Sequence, residues 1–153
     1  MSKTLPAHDK RAPFTDTEQG DRIVAGRHGL FFLENDQIVD AGMWYEVQYA
    51  KWDHVTRKLL IVWVEPDREP IFRVTTETEP KKFLRRLTSS VDKTIVASKS
   101  KSLSSGTKVS ATARRRADGE VFTTVVIQGK TTPQAQTIAD HLETELRQDL
   151  NLK

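Results

Sequence analysis

The chain has 153 residues, 37% hydrophobic and 29% charged, with 24 Lys and Arg against 21 Asp and Glu and no cysteine. That length and apolar content suit one domain, or two small subdomains sharing a core, and argue against wholesale disorder, while the missing cysteine excludes a disulfide scaffold, cysteine-ligated zinc, iron–sulfur clusters and thiol catalysis. No stretch approaches the roughly 18 uninterrupted apolar residues of a bilayer span, and the N-terminus lacks the apolar core of a signal peptide, so a soluble cytoplasmic protein is expected.

Residues 1–20 hold Pro6, Pro13, Gly20 and scattered charges, with Leu5 and Phe14 as the only large apolar groups, and predict a mobile tail. From Asp21 short apolar runs alternate with turn signals: 22–25, 29–33, a turn at Glu34, Asn35 and Asp36, then 37–40, a β-meander. Over 43–52, Met43, Tyr45, Val47 and Tyr49 alternate with Trp44, Glu46, Gln48 and Ala50, the period of a strand. Asp53 to Thr56 supplies the next turn, with Asp53 suited to capping it. The run 58–64 is apolar on both faces and suits an interior strand; Pro66 and Pro70 bracket a loop, and 71–75 forms a further strand with Phe72 and Val74 facing one way.

At Glu79 the period changes. Pro80 fits a first helical turn, and Phe83, Leu84, Leu87 and Val91 fall on one side of a helix whose other side carries Lys82, Arg85, Arg86 and Lys93. A strand over 94–102 follows, with a turn at 103–106. The Asp118–Gly119 pair between two alternating runs is the strongest hairpin signal in the chain. A two-residue loop there pairs Ala117 with Glu120, Arg115 with Phe122, Ala113 with Thr124 and Ala111 with Val126. Val109, Ala111, Ala113, Phe122 and Val126 then share a face small and apolar enough to receive a helix. Arg114 and Arg116 point to the other face, where a four-residue loop at 103–106 adds Lys99, Lys101 and Lys108, alongside Ile95, Val125 and Ile127. Thr132 is a suitable N-cap with Pro133 at the first helical position, and Ala135, Ile138, Ala139, Leu142 and Leu146 recur at helical spacing.

Charge is segregated along this order. Residues 1–77 carry 10 basic and 13 acidic side chains, whereas 81–116 carries 11 basic residues against the single acid Asp92; from residue 117 onward there are three bases and six acids. A field of one sign attracts polyanions or an acidic partner surface, and the ordinary alternative is a set of solvated faces. Phosphate loops, His-Glu-x-x-His helices, calcium loops and Gly-x-Ser-x-Gly elbows are absent, and His8, His28, His54 and His141 lack metal-ligand spacing, so neither cofactor nor metal is implied. Asp53 with His54, beside Trp52, is the nearest acid and base pair, yet neighbours on an extended chain face opposite ways. Trp44, Trp52 and Trp63 suit either a ligand platform or sheet packing. The run Arg114, Arg115, Arg116 suits phosphate contacts or the blunting of a strand edge.

The stretch 40–60, with Trp44, Val47, Ala50, Trp52 and Asp53 ahead of Leu59, resembles uncharacterised actinobacterial proteins of the pleckstrin-homology-like type, and the similarity continues through the amphipathic helix to Ala113, Arg114 and Arg115. The resemblance covers about residues 21–130 and departs after Phe122, where an aromatic-rich strand would be expected. It implies a non-enzymatic β-rich module of a Gram-positive cytoplasm, with no ligand to carry over. The expected fold is α+β: an antiparallel β-meander, a half-barrel of that type, with a short amphipathic helix, then a three-stranded antiparallel unit and a C-terminal helix. It forms a single domain over 21–153 with subdomains 21–77 and 78–153. The expected function is a non-catalytic binding or scaffolding module for a protein or peptide. The alternatives are a nucleic-acid binder using Lys99, Lys101, Lys108, Arg114 and Arg116, and an enzyme whose site is assembled from distant Asp, Glu and His.

Overall fold

A computed structural model describes residues 4–116 and 118–152. The fold is α+β with three antiparallel sheets and two long helices, as the periodicities predict. It divides into two compact units, Met1–Asp92 and Lys93–Lys153, each with its own core. The sequence places the subdomain break at 77/78; the observed break falls in the last turn of the amphipathic helix. The reason is the helix's apolar stripe, because Phe83, Leu87 and Val91 are buried in the core of the first unit.

In the first unit β1 (Phe14–Asp16), β2 (Arg22–Ala25), β3 (Gly29–Glu34) and β4 (Gln37–Met43) form a four-stranded meander in chain order, and β5 (Val47–Trp52), β6 (Lys58–Trp63) and β7 (Ile71–Val74) form a three-stranded one. Helix α1 (Lys81–Thr94) follows. The β3–β4 turn is the predicted one: Glu34 pairs with Gln37, and Asn35 and Asp36 sit at φ 51° and 63°, the positive values of a two-residue type I′ hairpin. Ile23, Leu30 and Phe32 from the first sheet, Val47, Leu59, Ile61 and Trp63 from the second, and the α1 stripe share one core.

Two expectations fail in this unit. The proposed strand over 43–52 starts instead with a 3-10 turn, Trp44–Glu46. There the Met43 N–H donates to Glu46 Oε1 at 2.9 Å and Trp44 Nε1 donates to the Gly26 carbonyl at 3.1 Å, so burial of one indole bends the chain from the first sheet into the second. Nor is the described part of residues 4–20 a tail; residues 1–3 lie outside the described residues. Phe14–Asp16 pairs with β2, Thr15 and Thr17 are buried, and the buried Asp9 carboxylate accepts the Arg27 N–H at 2.8 Å. Asp9 reaches that turn because Gly26 has no Cβ, which would stand 2.8 Å from Asp9 Oδ2. Short polar segments lack a periodic face, yet a few side-chain-to-backbone bonds suffice to seat them.

In the second unit β8 (Ile95–Ser102), β9 (Lys108–Arg115) and β10 (Val121–Gln128) form a sheet with β9 in the centre, covered on one face by α2 (Pro133–Asp149). Thr132 caps α2 as predicted, its Oγ1 accepting the Ala135 N–H at 3.0 Å. Val109, Ala111 and Ala113 pack against Ala135, Ala139, Leu142 and Leu146, small residues on both sides that bring helix and sheet close.

Both hairpin registers differ from the predicted ones by one residue. Arg115 pairs with Val121, Ala113 with Thr123 and Ala111 with Val125; the expected Ala117 pairing lies outside the described residues. On the other side Ser102 pairs with Lys108 and Lys101 with Val109. Each loop is three residues long. Arg116 N–H donates to the Glu120 carbonyl and Gly119 N–H to the Arg116 carbonyl; equally, Leu103 N–H donates to the Thr107 carbonyl and Gly106 N–H to the Leu103 carbonyl. Gly119 at φ 90° and Gly106 at φ 88° take the left-handed position that closes such a loop. Because side chains alternate with period two, each slip of one residue exchanges the faces assigned to an outer strand.

Candidate functional site

The five basic residues proposed as one binding face do not share one. Lys99 and Lys101 stand opposite Ala111 and Val109 and therefore lie on the α2 side, while Lys108 and Arg114 lie on the other. Lys99 Nζ is held by Asp149 at 2.7 Å and Glu145 at 3.4 Å, both on α2. Its pKa is raised, chiefly by the hydrogen bond to Asp149. Arg114 is 2% exposed, and its Nη1 donates to Thr94 Oγ1 at 3.3 Å; burial pulls its pKa down. Arg116 is exposed, with its guanidinium 5.0 Å from the centre of the Phe122 ring. Val125 and Ile127, expected beside the arginines, pack instead toward α2, and Phe122 takes the opposite side. The remaining basic residues of α1 up to Arg86 belong to the first unit.

The tryptophans separate as well. Trp44 and Trp63 are buried in the core, while Trp52 is half-buried with its Nε1 donating to Thr75 Oγ1 at 3.3 Å. Trp52 borders an open groove of about 780 Å³ in the first unit, lined also by Gln19, Lys51, Asp53, His54, Lys58, Leu59, Leu60, Phe72, Arg73 and Val74. Its geometry follows from the β5–β6–β7 register. Lys51 stands opposite Leu60, Leu60 opposite Phe72, and Lys58 opposite Val74, so these five side chains share one sheet face, extended along the strands by Tyr49 opposite Val62. Leu59, Ile61 and Trp63 alternate to the core side. Leu60, Val62 and Val74 are half-buried and Phe72 is 66% exposed.

The turn after β5 forms one end of the groove. Asp53 Oδ1 accepts the N–H groups of Val55 at 2.8 Å and Thr56 at 3.3 Å, the capping role expected of it. Those two backbone donors, Val55 first, hold its carboxyl below the ordinary carboxylate range. A carboxylate stabilised in this way is a poor proton acceptor. At the β7 side, Arg73 Nε pairs with the buried Asp21 carboxylate at 3.0 Å, and Thr17 Oγ1 also donates to Asp21.

The edge of β7 is already occupied. The Val74 carbonyl accepts the Glu18 N–H, the Val74 N–H is taken by Gln19 Oε1 at 3.1 Å, and the Phe72 carbonyl accepts Arg73 Nη1 at 2.8 Å. A peptide that added a strand there would have to displace these bonds, so the accessible feature is the sheet face and not its edge. Among the described residues no group of three His, Cys, Asp or Glu side chains is placed to hold a metal ion, and no helix is long and apolar enough to cross a membrane.

Comparison with protein-family models, with curated proteins and with solved structures returns no match for this chain. The groove was partly announced in the sequence. A strand apolar on both faces, 58–64, and a neighbour presenting Phe72 and Val74 on one side are the two rows that meet in it.

Proposed function

We propose that the first unit is a binding module that recognises a peptide segment of a partner protein on the outer face of β5–β7. The observation that carries this reading is the row Leu60, Phe72 and Val74, apolar and accessible, within a groove of about 780 Å³. Contiguous apolar surface left open on a folded domain marks an interaction site more often than isolated exposed residues do. The groove is open along the sheet, whereas a small ligand ordinarily has about 70–90% of its surface enclosed by its site. An extended chain lying over the strands uses such a shape better. The pleckstrin-homology-like resemblance implies a non-enzymatic β-rich module and is in keeping with this role.

The test is selection of a displayed random decapeptide library on the intact protein, followed by amide chemical-shift mapping of the selected peptides. Shifts centred on Lys51, Leu60 and Phe72, and a loss of affinity of about tenfold or more in Phe72→Ser, are expected, since a central aromatic anchor typically contributes this much. Selected peptides that map elsewhere, or bind Phe72→Ser unchanged, would remove the proposal.

A further inference from the structure

The charges around the groove specify what kind of peptide it takes. Lys51 and Lys58 are exposed, and among the described residues neither ammonium is in an ion pair. Lys51 Nζ rests over the Tyr49 ring, 5.3 Å from its centre. Of the other charged lining groups, Arg73 is paired with the buried Asp21, whereas Asp53, its Oδ1 held by the backbone donors of its own turn, keeps its negative charge at the turn end of the groove. The register fixes where the two lysines sit. Lys51 is beside Leu60 on the adjoining strand, and Lys58 precedes Leu60 by two residues on the same face of β6. With strands about 4.8 Å apart and about 6.7 Å between residues i and i+2, the two side chains leave the sheet roughly 8 Å from each other, both adjoining Leu60.

Resting on the peptide-binding reading above, we infer that the occupant is an acidic segment of a partner protein, carrying one large apolar side chain with Asp or Glu residues beside it. The apolar residue lies over Leu60 and Phe72, and its neighbouring carboxylates reach Lys51 and Lys58. Two lysines beside a desolvating apolar surface reward a carboxylate pair more than solvated lysines do, because the ion pairs form at the border of a low-dielectric patch. A basic segment is disfavoured by the same two charges, which gives the groove discrimination as well as attraction. A nucleic acid would use the two ammoniums but would leave the apolar row beside them unmatched, so the peptide fits this surface better.

Three fluorescein-labelled decapeptides test this on the full chain: a central Phe flanked by Glu, the same peptide with Ser in place of Glu, and the same with Lys. The Glu peptide is expected to bind at least tenfold more tightly than the Ser peptide at low salt, with amide shifts at Lys51, Leu60 and Phe72. The double variant Lys51→Glu, Lys58→Glu is expected to reverse the preference toward the Lys peptide, and both positions are exposed, so far-ultraviolet circular dichroism should be unchanged. Equal binding of Glu and Ser peptides at these residues would overturn the acidic specificity while leaving a peptide groove. If none of the three peptides shifts groove resonances while library-selected peptides do, the inferred chemistry is wrong. If neither set shifts them, the binding reading itself falls. A labelled single-stranded oligonucleotide that binds at the same residues more tightly than the Glu peptide would also overturn the inference.

Discussion

The closest approach of a side chain to a glycine in the first unit is at Gly42. A Cβ at this position would collide with Cζ3 of Trp63 and stand 2.7 Å from Cη2 of the same ring. Carbon atoms in contact prefer about 3.5–4.0 Å, so in Gly42→Ala the indole must withdraw by roughly 1 Å. It has little room to do so: Trp63 is 3% exposed, meets Phe32 edge to face at 6.3 Å between ring centres, and lies under the Arg68 guanidinium at 3.7 Å. Overpacking of this kind costs about 1–3 kcal/mol. In a unit of about 90 residues each kcal/mol lowers the melting temperature by about 4–8 °C. All three tryptophans belong to the first unit, so indole emission during thermal unfolding reads that unit alone. A second substitution isolates the cause. Trp63→Phe destabilises by itself, but it removes the ring edge that the new methyl strikes, so the double variant should be more stable than additivity predicts by about 1 kcal/mol or more. An unchanged melting temperature in Gly42→Ala, or strict additivity with Trp63→Phe, would refute the contact as the reason glycine occupies this position.

Three further substitutions examine the second unit. Arg114→Glu should destabilise it by about 3–5 kcal/mol, because the new carboxylate would be buried where Arg114 is 2% exposed. Arg116→Glu should stay within about 0.5 kcal/mol, being exposed, and urea unfolding followed by circular dichroism distinguishes the two; equal midpoints would mean that Arg114 is not sequestered. Gly119→Val should cost about 1–2 kcal/mol from its φ of 90° alone, since no atom stands within 4 Å of the place a Cβ would occupy. A wild-type denaturation midpoint would show that the loop does not require the left-handed conformation.

Element type was legible wherever one periodicity dominated. The α1 stripe of Phe83, Leu87 and Val91 and the Thr132–Pro133 start of α2 needed only the helical period and the capping chemistry. Register was not legible, and the reason is local. An Asp-Gly pair is compatible with a two-residue loop and with the three-residue loop observed, whose glycine comes last in both. The two loops differ by one residue, and one residue is enough to exchange the faces of an outer strand. Lys99 and Lys101 thereby moved to the α2 side, where Glu145 and Asp149 meet Lys99 from a distant part of the chain. Neither the run of positive charge nor its alternation contains that information, because it depends on which face the acidic helix covers.

The groove, rather than the basic stretch, is the candidate site for a reason of the same kind. A central strand that is apolar on both faces ordinarily has both faces covered. In the first unit the core takes Leu59, Ile61 and Trp63 from β6, while Leu60 and Val62 remain half-buried and Phe72 beside Leu60 is two-thirds exposed. Folding of that unit therefore leaves more apolar surface on this face than its own elements cover. A charge run is most simply explained as solvated surface, since water already satisfies it. An accessible aromatic side chain in a row of aliphatic ones has no such explanation, because contact with water is what apolar groups are driven to lose. The unsatisfied demand on this sheet is for apolar contact, with two ammoniums at its border to select what supplies it.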